Sequence, residues 1–169
     1  TADMLPFSAF VERAYGDALY SGQADGLPIL LAPAQEQALW ESIIRESESG
    51  KALLAIPETA ALAREAWQLA HAWRLMPLVG RSPPNEDARA FQQWAQRYET
   101  ITRRERQTDS ARLADVTASL LARTEIRKPK ALVHYGFDLV MPQQSAFFEA
   151  LAAAGCEVTG AGPETRGGD

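Results

Sequence analysis

The sequence predicts a mostly α-helical protein, an approximately five-helix bundle followed by a small β–α–β unit. Apolar residues recur at helical spacing from residue 7 to residue 121. In Ala131–Val158 the pattern instead changes from a β-rich apolar run to a helical spacing and back again. A strand–helix–strand unit normally forms a parallel crossover with further strands beside it, and the rest of the sequence offers few. The sequence therefore predicts a piece of a larger structure.

Composition and charge narrow the classes of function. The 169 residues, 46% hydrophobic and 23% charged, are ordinary for one globular domain or a domain plus a fragment. A net charge of −5 gives no global footprint for nucleic acid, although a local basic strip stays possible. The single cysteine, Cys156, excludes a disulfide framework within the chain and favours a reducing compartment, so we expect a cytoplasmic protein. No apolar run approaches the roughly 20 residues that span a bilayer, so no membrane partner is expected.

The first two helices are predicted from prolines and apolar spacing. Pro6 suits a first helical turn, and the amphipathic pattern after it continues to about Tyr20. After a polar loop, Pro33 is expected to open a second helix that runs to about Glu48. That helix is then expected to end before Gly50.

The next two helices follow the same logic. Pro57 starts a third helix, whose apolar positions continue to about Met76. The segment 77–84, with a glycine and a double proline, is predicted to be a loop. Asn85 is a plausible N-cap for a fourth helix that continues through Ile101.

The remaining elements complete the pattern. Asp109 or Ser110 can cap a fifth helix, and a basic linker then leads into a strand at 131–135. Helical spacing returns from Gln143 to Ala154. Gly155 is expected to end that helix, and the residues after it could form another strand.

Catalysis by this chain alone is not expected. His71 and His134 are its only histidines, and neither has a neighbouring ligand spacing typical of a metal site. No phosphate-binding loop and no nucleophile elbow occurs in the sequence. We therefore predict no cofactor and no enzymatic activity for the chain.

A local basic patch on the fourth helix and an exposed tryptophan could contact DNA. Arginines in such a patch can bind phosphates, and indole rings can stack on bases. The alternatives are a solvated helix end, where cations favour the dipole, and tryptophans that fill the core. The candidate DNA-contacting residues are Arg97, Arg103, Arg104, Arg106, Trp73 and Arg74.

Four stretches resemble segments of bacterial helicase–nuclease proteins. The segment Gly136–Gly155 resembles the sequence after the Walker B strand in AddB-type and RecB-type helicase–nuclease subunits, with Pro142 and Gln144 in register. Met4–Tyr15 resembles a helicase motif at a helix start. Two helical stretches are similar to the helical insertion of the family called probable DNA repair proteins, which carry a degenerate superfamily 1 helicase-like region and a C-terminal PD-(D/E)XK nuclease domain. These stretches are Pro28–Ile44 and Ala61–Leu75.

The resemblance implies a fold and a division of the chain. It implies a helical 1B-like insertion at residues 1–126 and a strand–helix–strand edge of an α/β superfamily 1 helicase-like core at residues 127–160. Residues 161–169 are expected to be a disordered tail. In active relatives an Asp and a Glu end the Walker B strand, and these positions are Tyr135 and Gly136 here. The degenerate Walker-B-like segment comprises Tyr135, Gly136, Phe137, Asp138 and Gln144.

The resemblance therefore implies a non-catalytic fragment of a DNA repair or recombination helicase–nuclease that contributes DNA contact or scaffold. Any ATP binding and nuclease activity would belong to the parent protein. The expected partners are DNA and the remaining domains of that parent. The alternative is a protein–protein interaction or structural module with no DNA contact.

Overall fold

A computed structural model describes residues 3–21, 26–81, 85–123, 126–136 and 139–161. The described residues are mostly helical, with two small pairs of parallel strands. No helix among them is long and apolar enough to cross a membrane. The elements are, in chain order, α1 (Phe7–Tyr20), β1 (Ile29–Leu30), α2 (Pro33–Glu46), a 3-10 turn (Ser49–Ala52), α3 (Ile56–Ala72), α4 (Met76–Val79), α5 (Glu86–Arg104), β2 (Gln107–Thr108), α6 (Ser110–Leu120), β3 (Ala131–Tyr135), α7 (Pro142–Ala153) and β4 (Glu157–Ala161).

The chain divides into two compact units. The helical unit is Asp25–Leu113, and the α/β unit combines Thr1–Ala24 with Ala114–Asp169. The boundary falls inside α6, whereas the sequence-based division was placed at residue 126. The first predicted helix and most of the fifth therefore belong with the β–α–β elements.

The predicted helix starts are confirmed by the local chemistry. Pro33 occupies the first turn of α2, where its missing N–H costs no hydrogen bond. Pro57 lies in the first turn of α3 in the same way. The side chain of Asn85 accepts a hydrogen bond from the backbone N–H of Ala88 at 2.8 Å, so Asn85 is the N-cap of α5.

The predicted end of the third helix is wrong by about one turn. Arg74 adopts φ of 58°, a left-handed conformation that stops α3 at Ala72. The N–H of Leu75 then donates to the C=O of Ala70 at 2.7 Å, which closes a Schellman motif. The chain re-forms a short helix, α4, within the stretch that the sequence predicted to be a loop.

Aromatic rings fill the core of the helical unit. Trp40 of α2 stacks on Tyr98 of α5, with ring centroids 4.4 Å apart, and Trp67 of α3 meets Trp40 edge-on at 6.0 Å. All three side chains are almost fully buried. Each helix thus contributes one large ring at the centre, which fixes their mutual packing.

The short strands β1 and β2 were not predicted. They pair in parallel, and the N–H groups of Ile29 and Leu31 donate to the C=O groups of Arg106 and Thr108, each at 2.8 Å. These bonds tie the segment before α2 to the segment after α5. A two-residue strand carries too little alternation to be recognised in a sequence.

The β–α–β unit that the sequence predicted is confirmed. β3 pairs in parallel with β4, with Ala131 opposite Glu157 and Tyr135 opposite Ala161, and α7 is the crossover between them. Gly155, with φ of 92°, ends α7 as expected. Ala161 closes β4, so it is not part of a tail, and residues 162–169 lie outside the described residues.

Aromatic contacts join α1 to α7 inside the α/β unit. The ring of Phe7 meets the rings of Phe147 and Phe148 edge-on, with centroids 5.4 and 5.7 Å apart. Phe10, one turn further along α1, meets Phe147 at 6.1 Å. α1 therefore packs on α7, the crossover helix.

Candidate functional site

The predicted basic patch lies on the exposed side of α5. Arg97, Arg103 and Arg104 are all exposed. Arg103 forms an ion pair with Glu99 at 2.6 Å, and Arg104 forms one with Glu105 at 2.9 Å. Both pairs are solvent-exposed, so each is worth little and can be exchanged for another anion.

Helical spacing decides which of these arginines act together. Arg97 and Arg104 are seven residues apart, which places them within about 20° of each other around the helix axis. Arg103 is turned away from this line by about 120°. α5 thus presents Arg97 and Arg104 on one exposed face, which we call the arginine face.

Arg106 sits just beyond this helix in an unusual backbone conformation. Its φ of 54° is left-handed, as required at the position that reverses the chain after α5. Its C=O accepts the N–H of Ile29, so the backbone is held while the side chain stays exposed.

Trp73 and Arg74 belong to a different place, the junction between α3 and α4. Trp73 is half-buried and is the C-cap of α3, and Arg74 is exposed. In the part of the chain that the structure describes, no guanidinium of the arginine face lies over the Trp73 ring. Trp73 and Arg74 thus lie at the end of α3, whereas the other four candidates lie on or just after α5.

Three of the four tryptophans are core residues. Trp40, Trp67 and Trp94 are exposed by 0%, 1% and 8% respectively, so their faces are not available to bases. This result confirms the core interpretation for these three. Trp73 is half-buried and is more exposed than the other three.

A buried polar cluster, which the sequence did not reveal as a whole, lies at the start of α6. Asp109 is fully buried and accepts a hydrogen bond from the indole N–H of Trp67 at 3.2 Å. It also accepts the backbone N–H of Arg112 at 3.0 Å, which makes it the predicted N-cap, and pairs with the Arg112 guanidinium at 2.6 Å.

A second carboxylate reaches the same helix start from α2. Glu36, exposed by only 3%, accepts the backbone N–H of Ser110 at 3.0 Å and the Ser110 hydroxyl at 3.4 Å. Two carboxylates thus satisfy N–H groups at the positive end of the α6 dipole. The signal for Glu36 was its spacing, because it lies on the same helix face as Trp40 and Ile43.

Burial changes the pKa of Glu36 and of the neighbouring Tyr98. It raises the pKa of Glu36, and the neighbouring Asp109 carboxylate raises it further against the lowering effect of the Ser110 N–H. Burial also raises the pKa of the Tyr98 hydroxyl well above its ordinary value, with Asp109 adding to the effect. Both carboxylates are engaged in hydrogen bonds within the helical unit, so the role of this cluster is structural.

The Walker-B-like segment is only partly described. Tyr135 ends β3 with its side chain 70% exposed, and Gly136 follows with φ of 77°. Phe137 and Asp138 lie outside the described residues. Gln144 is buried, and its side-chain oxygen accepts the N–H of Met141 at 3.0 Å, so it caps the start of α7. Within the described ranges, no group of three or more His, Cys, Asp or Glu residues is arranged to hold a metal ion.

Comparison with known proteins gives no match to a family model, to a curated protein or to a solved structure.

Proposed function

We propose that this chain is a non-catalytic segment of a bacterial DNA repair or recombination helicase–nuclease, and that it acts as scaffold at the edge of an α/β core. The observation that carries the proposal is that one face of the β3–β4 sheet is packed and the other is exposed. Leu132 and His134 are half-buried, and the His134 ring stacks on Phe148 of α7 at 4.6 Å. On the opposite face Val133 and Tyr135 are 65% and 70% exposed.

This sheet is incomplete by the ordinary rules of parallel sheets. Such sheets occur with both faces covered, and a sheet of two strands rarely supports itself. The exposed Val133 and Tyr135 show that one face of this sheet lacks the covering layer that parallel strands normally have. The scaffold role follows because the unit would complete a larger sheet.

The absence of catalysis in the proposal rests on the residues at the end of β3. By the resemblance, Tyr135 and Gly136 stand where active ATPases of this kind carry an Asp and a Glu. Tyr135 has no carboxylate to hold a magnesium shell, and Gly136 has no side chain to orient an attacking water. The role left to this part of the chain is structural.

Association with the rest of the gene product tests the scaffold role. The chain and the remaining segments of its parent are produced separately, mixed, and examined by size-exclusion chromatography and cross-linking. We expect co-elution, and we expect Val133→Glu with Tyr135→Glu to abolish it. Leu62→Glu, which alters an exposed leucine of α3, is the matched control and should leave co-elution unchanged. Failure of every segment to associate would overturn the proposal.

DNA contact through the arginine face is a second candidate function. The specific observation is that Arg97 and Arg104 share one exposed face of α5, as two phosphate contacts along a backbone would require. A purely scaffolding protein with no DNA contact is the alternative.

Fluorescence anisotropy with labelled single-strand and duplex DNA separates these alternatives. We expect salt-sensitive binding, and Arg97→Ala with Arg104→Ala should reduce the slope of log K against log salt by about 2. Arg45→Ala, an exposed arginine of α2, is the control. If the chain binds neither DNA at low ionic strength, direct contact is excluded.

A further inference from the structure

We infer that a group of cations between α6 and β3 forms a phosphate-binding surface for a DNA backbone, separate from the arginine face. Its members, which we call the basic loop cluster, are Arg123, Arg127, Lys128 and Lys130. The inference depends neither on the scaffold role nor on the arginine face. It is carried by the fold of the backbone at this place and by the exposure of the cations.

The charge of this stretch contrasts with that of the whole chain. From Arg123 to Lys130 the sequence carries four cations and one acid, Glu125, whereas the net charge of the chain is −5. Thr124 and Glu125 lie outside the described residues and are not included in the cluster. A locally positive stretch in an acidic protein directs polyanions to that place.

Hydrogen bonds fold this stretch against the end of α6. The N–H of Ile126 donates to the C=O of Arg123 at 3.4 Å, and the Ile126 side chain is buried. The ammonium group of Lys128 donates to the C=O groups of Leu121 and Arg123, at 2.9 and 2.8 Å. Lys128 thus satisfies carbonyl groups just after α6, where a cation is favoured. The same bonds hold the backbone of Arg123 close to the residues that follow Ile126.

The other three cations of the cluster are available to a ligand. Arg123, Arg127 and Lys130 are exposed. Within the described part of the chain, none of the three forms an ion pair with a carboxylate. Arg103 and Arg104 of α5, in contrast, are each paired with a glutamate. A phosphate that binds to the basic loop cluster therefore displaces no carboxylate.

The chemistry of these groups fits a DNA backbone. Two of the three exposed cations are arginines, and a guanidinium can bind two oxygens of one phosphate through parallel hydrogen bonds. Successive phosphates of a DNA strand allow several neighbouring cations to bind at once, with release of the counterions. An anionic membrane surface offers negative charge without this regular spacing, and the experiment below separates the two.

One exposed acid lies beside the cluster and gives a second test. The N–H of Glu157 donates to the C=O of Lys130 at 2.9 Å, so the two residues are neighbours. A carboxylate at this position repels a phosphate that binds to Lys130. We therefore expect Glu157→Gln to tighten DNA binding by up to about fivefold, as for other exposed charge pairs.

Fluorescence anisotropy of labelled duplex DNA at a series of salt concentrations tests the surface. The test variant combines Arg123→Ala, Arg127→Ala and Lys130→Ala, and it retains Lys128 so that the stretch keeps its fold. We expect weaker binding and a slope of log K against log salt that is smaller by about 3. Circular dichroism checks that the helical content is unchanged.

The matched control removes the same charge from exposed arginines elsewhere, through Arg13→Ala, Arg45→Ala and Arg81→Ala. This control should leave the slope unchanged. An equal fall in the control would overturn the inference, because it would show that only the net charge matters.

The remaining outcomes also decide the matter. An unchanged slope in the test variant overturns the inference, and a slope that then responds to Arg97→Ala with Arg104→Ala leaves the second candidate function standing. Absence of DNA binding at low ionic strength overturns both DNA contacts but not the scaffold role, which co-elution tests. Loss of binding to phosphatidylserine vesicles in the test variant, with DNA binding unchanged, would identify a membrane surface instead.

Discussion

The indole N–H of Trp67 donates a hydrogen bond to the carboxylate of Asp109 inside the helical unit, across 42 positions of sequence. The same carboxylate caps α6 and pairs with Arg112, whose guanidinium lies 5.5 Å from the Trp67 ring centroid. One buried side chain thus joins the middle of α3 to the start of α6. Loss of the Asp109 carboxylate would therefore break three contacts at once: those with the Trp67 indole, the Arg112 backbone N–H and the Arg112 guanidinium.

Replacement of Asp109 by Ala should therefore be strongly destabilising. It leaves the Trp67 N–H and the largely buried Arg112 guanidinium without their acceptor, and breaking such a buried pair costs about 3–5 kcal/mol. Urea unfolding followed by circular dichroism measures the change. Glu99→Ala, which removes the exposed partner of Arg103, is the control and should cost less than about 1 kcal/mol. Equal losses in the two variants would contradict the assigned role of Asp109.

Glu36 should make stability depend on pH. Its folded-state pKa is raised, so the folded protein holds a proton that the unfolded chain has released. The free energy of unfolding must then fall as pH rises through the window between the ordinary glutamate pKa, about 4.3, and the raised value. Glu36→Gln removes this fall, so the variant gains stability relative to the unmutated chain as pH increases.

Urea titrations at a series of pH values give this comparison. Glu46→Gln, a change at an exposed residue of the same helix, is the matched control. If the unmutated chain and Glu36→Gln have parallel profiles of stability against pH across this range, the buried position of Glu36 does not affect its ionisation.

Two glycines should respond to alanine in opposite directions. A Cβ at Gly50 would lie 1.7 Å from the backbone oxygen of Ile44, which cannot move without unwinding the end of α2. We expect Gly50→Ala to lose at least about 1–3 kcal/mol, the usual cost of overpacking. Gly16, within α1, has open space around its Cβ position, so Gly16→Ala should gain roughly 0.5–1 kcal/mol. Thermal unfolding of both variants measures the two changes, and a stabilised Gly50→Ala would show that this turn is wrongly described.

Proline substitutions on β3 should reveal its two edges in the isolated chain. The N–H of Leu132 faces β4, so Leu132→Pro removes a ladder bond and should cost about 3 kcal/mol. The N–H of Val133 points away from β4, where proline is tolerated, so Val133→Pro should cost clearly less than Leu132→Pro. The free energies of unfolding decide the matter, and similar losses would mean that the β3 edge is already occupied.

The local chemistry of single residues made much of the fold predictable. Pro33 and Asn85 each mark a helix start because they act on backbone groups next to them in sequence. Gly155 likewise marks a helix end through its left-handed conformation. The β–α–β unit was predictable because its apolar period changes within one short stretch.

The features that were missed depend on distant partners. Arg74 adopts a conformation that glycine usually takes, so nothing in its residue type announced the end of α3. The role of Glu36 was missed although its spacing from Trp40 places it on the buried face of α2, because its partner Ser110 lies 74 residues away. The division of the chain inside α6 is of the same kind, because a continuous helical pattern carries no mark of the unit to which each turn belongs.

The open edge of β3 also affects how the isolated chain behaves in solution. An apolar strand with unpaired backbone groups is a template for pairing between copies, and it favours aggregation at high concentration. Lys130, just before β3, and Glu157, at the start of β4, are exposed charges beside this strand. Such flanking charges act as gatekeepers against in-register stacking of copies. Neutral replacements at these two positions would lower the solubility of the isolated chain, although they remove no contact from its core.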